Sequence, residues 1–273
     1  IWKEVLLYQF HDILPGSSIK RVYDESLERY AALYQETEAL VQSAYGDGNY
    51  AINSLSWDRE AWIKEQGKWY HVTVPAMGSA ELGGGQACEE AAAPADLLEN
   101  SCVRVRFDES GAVTSVYDLR ARREVLSAPS NRLALYYDDG DCWDFNETYR
   151  ERAPRYFRLV RSEGRTDGPV KKVVQEYVYG KSTIRQTISI TEGSPLVTFD
   201  TEADWQESQK MLRTAFYTNI ETDEVTCDIQ YGNIRRPAHR NTSWDMAKCE
   251  ICAHKYADLS DLSLIHISEP TRP

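Results

Sequence analysis

The stretch Gln9-Phe10-His11-Asp12-Ile13-Leu14-Pro15-Gly16-Ser17-Ser18 decides how this chain is read. Ahead of it, Ile1 to Phe10 has the spacing of a helix, with Trp2, Val5, Leu6 and Phe10 on one face. Pro15 lacks the N–H that a helix interior needs, so the helix must stop before Pro15-Gly16. Behind the break, Ile19, Val22, Tyr23, Leu27, Tyr30, Leu33, Tyr34, Leu40 and Val41 recur at helical spacing as far as Ala44. Ser17 or Ser18 is the expected N-cap, and Gly46-Asp47-Gly48-Asn49 the expected end. A short helix, a corner and a helix of about seven turns read as the tail of a helical bundle. His11 and Asp12 sit at the corner.

Beyond Tyr50 the period changes from helical to alternating. Val103 to Phe107, Val113 to Tyr117, Lys171 to Tyr179, Ser182 to Ile190 and Leu196 to Ala203 read as strands. Asp108-Glu109-Ser110-Gly111, Gly180-Lys181 and Glu192-Gly193-Ser194-Pro195 supply turn chemistry between them. Many strands at short spacing, almost without helices, indicate an antiparallel β-sandwich. Gly83 to Ala95, rich in Gly and Ala, reads as a loop or linker. Its triple glycine is no phosphate loop, because neither a Lys-Ser/Thr pair nor a helix follows. The expected class is α+β: the end of a helical bundle over 1–48, then antiparallel β-sandwich domains over 49–261.

Composition narrows the partners. A net charge of −12 over 273 residues argues against nucleic acid and anionic membrane surfaces. No apolar run approaches a membrane span. Six dilute cysteines without scaffold spacing point to a reducing compartment, hence a cytoplasmic location.

The corner resembles the His-Asp signature of the glycoside hydrolase family 38 α-mannosidases. Ala51-Ile52-Asn53-Ser54-Leu55-Ser56-Trp57-Asp58-Arg59 is similar to the motif that opens that family's β-region. Leu98-Glu99-Asn100, Arg235 to Asp245 and Ala253 to Ser260 are similar to its later motifs. The resemblance implies a zinc-dependent, retaining α-mannosidase, with His11 as a zinc ligand and mannose-containing oligosaccharide as substrate; the alternative reading is a non-catalytic carbohydrate-binding or interaction module. It places the nucleophile and the acid/base on a catalytic barrel upstream of Ile1, so no catalytic residue is expected within this chain, which alone would be inactive. An incomplete sandwich would leave an unpaired strand edge, which favours a homo-oligomer or aggregate.

Several candidates keep two readings. Asp12 either caps the following turn or orients a substrate hydroxyl. Asp141-Cys142-Trp143-Asp144-Phe145-Asn146-Glu147-Thr148-Tyr149 is either a sugar-recognising loop, with Asp141, Trp143 and Asp144 as substrate contacts, or a hairpin with buried aromatics and solvated acids. Cys249-Glu250-Ile251-Cys252-Ala253-His254 lacks the second half of a zinc knuckle and reads as a strand with both cysteines small and apolar. His239 and His254 read as structural or rim residues, and His71 as a strand position without a partner. Leu262 to Arg272 resembles a translated library-preparation adapter, so 262–273 is expected to stand outside the fold.

Overall fold

The computed structural model describes residues 1–46, 48–140, 148–248, 250–261 and, by backbone alone, 265–268. They divide into two compact units, Ile1–Ala87 with Asp139 and Gly140, and Cys88–Asp138 with the described residues from Thr148 on.

The first unit opens with α1 (Trp2–Tyr8) and α2 (Lys20–Tyr45). Glu4 pairs with Arg29 (Nη2 to Oε1 2.7 Å), and the Tyr8 and Tyr30 rings meet at 5.4 Å, which ties the two helices together. Gly46, at φ +69°, ends α2 and donates its N–H to the Gln42 carbonyl at 2.8 Å. Burial on α2 is sparse: only Ser26 and Leu33 are buried, while Leu27 and Tyr34 of the expected apolar face stand in water. Trp2, Leu6 and Phe10 of the first helix and its end are exposed as well.

Five strands come next: β1 (Tyr50–Ile52), β2 (Arg59–Glu65), β3 (Lys68–Val74), β4 (Ser79–Glu81) and β5 (Gln86–Ala87). β2 and β3 form an antiparallel hairpin that β5 extends, and β1 pairs with β4. Ile63, Tyr70 and Val72 of the hairpin pack on Ala51, Val74 and Leu82. Asn53 holds the connection together: its Nδ2 donates to the carbonyls of Trp57, Val74 and Pro75, and its Oδ1 accepts from Leu55 N–H.

The second unit is a sandwich. In chain order its strands are β6 (Ala91–Ala93), β7 (Leu97–Glu99), β8 (Val103–Phe107), β9 (Val113–Asp118), β10 (Arg123–Glu124), β11 (Ala134–Tyr137), β12 (Arg155–Tyr156), β13 (Arg158–Asp167) and β14 (Val170–Tyr179). β15 (Ser182–Thr191), β16 (Val197–Asp204), β17 (Lys210–Arg213), β18 (Glu224–Ile229), β19 (Gly232–Pro237), β20 (Ala257–Ser260) and β21 (Ile265–Ser268) complete it. A sheet ordered β16-β15-β14-β13-β6 faces one ordered β10-β9-β8-β7. Alternation decides which side is core: along β15, Ile184, Gln186, Ile188 and Ile190 are buried while Thr183 and Arg185 face water. Val173, Ile188 and Ile190 meet Leu98, Val103, Val105 and Val113 in the main core. A second cluster sets Leu133, Leu135 and Phe157 against Tyr177 and Ile184.

The antiparallel β-sandwich after a helical start is thus the observed class, with differences in detail. Gly83 to Ala95 is not wholly loop, since β5 and β6 lie in it. Neither Ser17 nor Ser18 caps α2; the N-cap position is Ile19, without a side-chain cap. Cys252 is exposed in an irregular segment, not a small apolar residue of a strand. β21 pairs with β20 inside the segment expected to stand apart. No described helix is long and apolar enough to cross a membrane.

Candidate functional site

The His11–Asp12 corner is built by backbone hydrogen bonds on the Phe10 and Ile13 carbonyls. Ile13 and Leu14 N–H donate to the Phe10 carbonyl at 2.9 and 3.2 Å, and Gly16 N–H to Ile13 at 3.2 Å. Gly16 sits at φ +87°, a conformation that residues with a Cβ rarely adopt. The Ser17 and Ser18 hydroxyls both donate to the Asp12 carbonyl, at 3.2 and 2.6 Å. Tyr23 joins them from α2: its hydroxyl oxygen accepts Ser18 N–H at 2.9 Å and lies 3.4 Å from the Asp12 carbonyl. The two serines therefore staple the corner instead of capping the helix.

Asp12's main chain closes this turn, so its carboxylate is left to act elsewhere. His11 Nε2 lies 3.5 Å from Asp12 Oδ2, with the side chains 72% and 48% exposed, and the His11 ring rests on Phe10 at 4.2 Å. An imidazole held beside a carboxylate and open to solvent has the chemistry of a metal ligand. One such pair is not a zinc site. A catalytic zinc takes about three protein ligands, and among the described residues no three His, Cys, Asp or Glu side chains gather to hold a metal. The donors present do not fit a zinc ion by themselves.

Asp141, Trp143 and Asp144 lie outside the described residues, as do Cys142 and Cys249. Among the described residues that follow, the Tyr149 hydroxyl donates to Glu250 Oε1 at 2.9 Å, Arg150 Nη2 donates to the same oxygen at 3.0 Å, and Arg213 Nη2 donates to Oε2 at 3.0 Å. Both guanidinium groups also lie over the Tyr149 ring, at 5.1 and 5.0 Å. Partial burial works to raise the Glu250 pKa, but the Tyr149 hydroxyl and Arg213 outweigh it and hold the carboxyl below its ordinary range.

Sequence reading missed this cluster, because its members are far apart along the chain. It also missed the partners of His71, whose ring stacks on Trp62 at 4.4 Å and whose Nε2 lies 3.0 Å from Glu60 Oε1. The cross-strand register of the hairpin could have pointed to these. His239 Nδ1 lies 3.7 Å from Asp245 Oδ2, within the capping box of Thr242 and Asp245 that starts the short helix Ser243–Met246. His254 N–H is one of three consecutive backbone donors to Asp228 Oδ1, with Lys255 and Tyr256.

Comparison with known proteins identifies the class. Residues 1–47 match the Alpha mannosidase middle domain, and residues 98–268 match the Glycosyl hydrolases family 38 C-terminal domain. The chain belongs to glycoside hydrolase family 38. Among its relatives, Alpha-mannosidase 2C1 of Homo sapiens is 29% identical over 96% of this chain and 28% of its own length. Alpha-mannosidase G of Dictyostelium discoideum is 26% identical over 96% of this chain and 32% of its own. The crystal structure of an alpha-mannosidase from Enterococcus faecalis V583 has the same fold, with a TM-score of 0.54 and 13% identity over 82% of this chain and 32% of that one. The chain therefore spans about a third or less of the proteins it resembles.

Proposed function

We propose that this chain serves as the helical and β-sandwich portion of a zinc-dependent, retaining α-mannosidase that hydrolyses mannose-containing oligosaccharides. The observation that carries the reading is the order of two family 38 domains along one chain, with the His11–Asp12 corner inside the first. Retention of configuration uses two carboxyl groups about 5–5.5 Å apart, one as nucleophile and one as acid/base. We assign neither to this chain. Its own contribution is the exposed His11 imidazole, offered as one zinc ligand to a site completed by other parts of the protein, with Asp12 orienting that ring or a sugar hydroxyl. Asp141, Trp143 and Asp144 remain proposed sugar contacts on residue chemistry alone. The free thiols of Cys88, Cys102, Cys227 and Cys252 support a cytoplasmic location.

The test is hydrolysis of an aryl α-mannoside by a longer protein carrying this chain and by the chain alone. Turnover by the first and none by the second is expected. Turnover by the chain alone, or cleavage of other glycosides in preference to α-mannosides, would overturn the reading.

A further inference from the structure

The two-residue turn of the β18–β19 hairpin, Gln230-Tyr231, joins the paired residues Ile229 and Gly232. Tyr231 takes its second position with φ +63°, a conformation that residues with a Cβ rarely adopt. Of the described non-glycine residues with positive φ, Tyr231 alone is aromatic. Its side chain is fully exposed, so the ring buries nothing that would offset the strained backbone. A glycine would suit the turn better, and the fold gives no reason for a tyrosine there.

The ring borders a cleft of about 530 Å³, within the roughly 300–1,000 Å³ typical of small-molecule sites. The segment leading into β20 supplies His254, Lys255 and Tyr256 to the same cleft. Buried Asp228 fixes that segment: its Oδ1 accepts the N–H groups of His254, Lys255 and Tyr256 at 2.8, 2.6 and 2.9 Å, and its own N–H donates to the Tyr256 carbonyl at 3.2 Å. The walls are thus set by main-chain bonds that leave the side chains over. Gln230 Nε2 lies 3.3 Å from His254 Nε2, which ties turn to segment and leaves the amide oxygen and the imidazole Nδ1 unused. Among the described residues, neither the Lys255 ammonium nor the Tyr231 hydroxyl has a hydrogen-bond or ion-pair partner. The Asp228 charge is engaged by three N–H donors, so Lys255 sets the sign of the cleft. An unpaired ammonium beside an amide and an imidazole suits an anionic oxygen cluster. An exposed phenol ring suits the C–H face of a pyranose. A phosphorylated sugar carries both halves.

We propose that the cleft between the β18–β19 turn and the segment leading into β20 binds a hexose phosphate. Lys255 pairs with the phosphate, the Tyr231 ring takes the C–H face of the sugar, and Gln230 and His254 bond its hydroxyls. The inference goes beyond the α-mannosidase reading; only the choice of mannose in the probe is taken from it.

The experiment is saturation-transfer NMR of the full chain with mannose 6-phosphate, using mannose and inorganic phosphate as competitors. Binding with an apparent Kd of about 1 mM is expected, with each competitor about tenfold weaker. Tyr231→Gly is expected to weaken binding by about tenfold, the loss of one ring contact, while its melting temperature holds or rises because glycine accepts the positive φ. Lys255→Gln should also cost about tenfold and bring mannose 6-phosphate down to the level of mannose. Lys181→Gln, exposed in the β14–β15 turn, should change nothing. No saturation transfer at tens of millimolar sugar phosphate would overturn the site. So would equal affinity for mannose, or full binding in Tyr231→Gly with inorganic phosphate an equal competitor, since the anion would then sit on a lysine alone. None of these outcomes bears on α-mannoside turnover by the longer protein, so the site and the enzyme reading fail separately.

Discussion

The Tyr149 hydroxyl donates to the Glu250 carboxylate at 2.9 Å, joining residues 101 positions apart. Arg150 and Arg213 complete the cluster, so the chain from Thr148 on is fixed to β17 and to the segment before β20. Tyr149 is buried, and its ring is braced edge-on by Tyr136 at 4.9 Å. Tyr149→Phe removes one charge-assisted hydrogen bond while leaving Glu250 its two arginines. A loss of about 1.5 kcal/mol in chemical denaturation is expected.

The same cluster sets a pH dependence. The folded-state pKa of Glu250 is depressed, so its contribution is complete above the ordinary carboxylate pKa of about 4.3 and fades as pH falls through the depressed value. Melting temperature followed from pH 7 downward should fall less steeply in Glu250→Gln than in the parent chain over that acidic window, starting from a lower value at neutral pH. Parallel curves would show that Glu250 does not couple folding to protonation.

Asn100 is buried and makes four hydrogen bonds. Its Nδ2 donates to the carbonyls of Thr191 and Ser194, and its Oδ1 accepts from the N–H groups of Cys102 and Val103, all between 2.6 and 2.8 Å. It thereby joins the turn before β8 to the turn after β15, across the two faces of the sandwich. Asn100→Ala strands buried backbone groups and should cost about 2–3 kcal/mol in denaturant unfolding. Ser101→Ala, next door and exposed, should stay within about 0.5 kcal/mol. Similar losses in both would mean that any change in this turn is felt, and not the asparagine's bonds.

Arg123 forms an ion pair with Asp261 at 3.1 Å, and both side chains are largely buried. The chain is thus pinned at Asp261, and β21 beyond it lies at the sheet edge, pairing only with β20 among the described strands. We propose that residues 262–273 add little. Deleting them should change stability by about half a kcal/mol, the scatter of surface changes. A loss of several kcal/mol would make β21 an integral strand.

The long strands were legible because alternation and β-branching agree: Val103–Phe107 coincides with its sequence reading, and β14 to β16 differ only at their ends. β4, β5 and β6 were not, since Ser-Ala-Glu, Gln-Ala and Ala-Ala-Ala carry no strand propensity and pair only because neighbouring strands present free edges. The corner was legible from Pro15-Gly16 and the two flanking helical stripes. What held it together was not: the serines looked like caps, and only the fold shows them turned back onto the Asp12 carbonyl. Asn53 and Asn100 were visible as motif residues, but their function as staples depends on carbonyls more than twenty and ninety residues away. The cluster at Glu250 obeys the same rule, since no local pattern marks an ion network assembled by sheet packing.

On its own the chain should bind zinc feebly. A four-ligand structural site is worth roughly 10–16 kcal/mol, so one imidazole's even share is about 3–4 kcal/mol, equivalent to about millimolar affinity or weaker. Calorimetric titration of the chain with zinc should reveal no stoichiometric site. A micromolar site abolished by Cys252→Ser would place the metal at Cys252 and not at His11.

The most direct test of the central claim is the zinc content of a longer protein carrying this chain, measured by elemental analysis before and after His11→Ala. The account predicts about one zinc per molecule in the parent protein and a loss of most of it in the variant, with the melting temperature of the β-sandwich unchanged. Full zinc occupancy in the His11→Ala protein would contradict it.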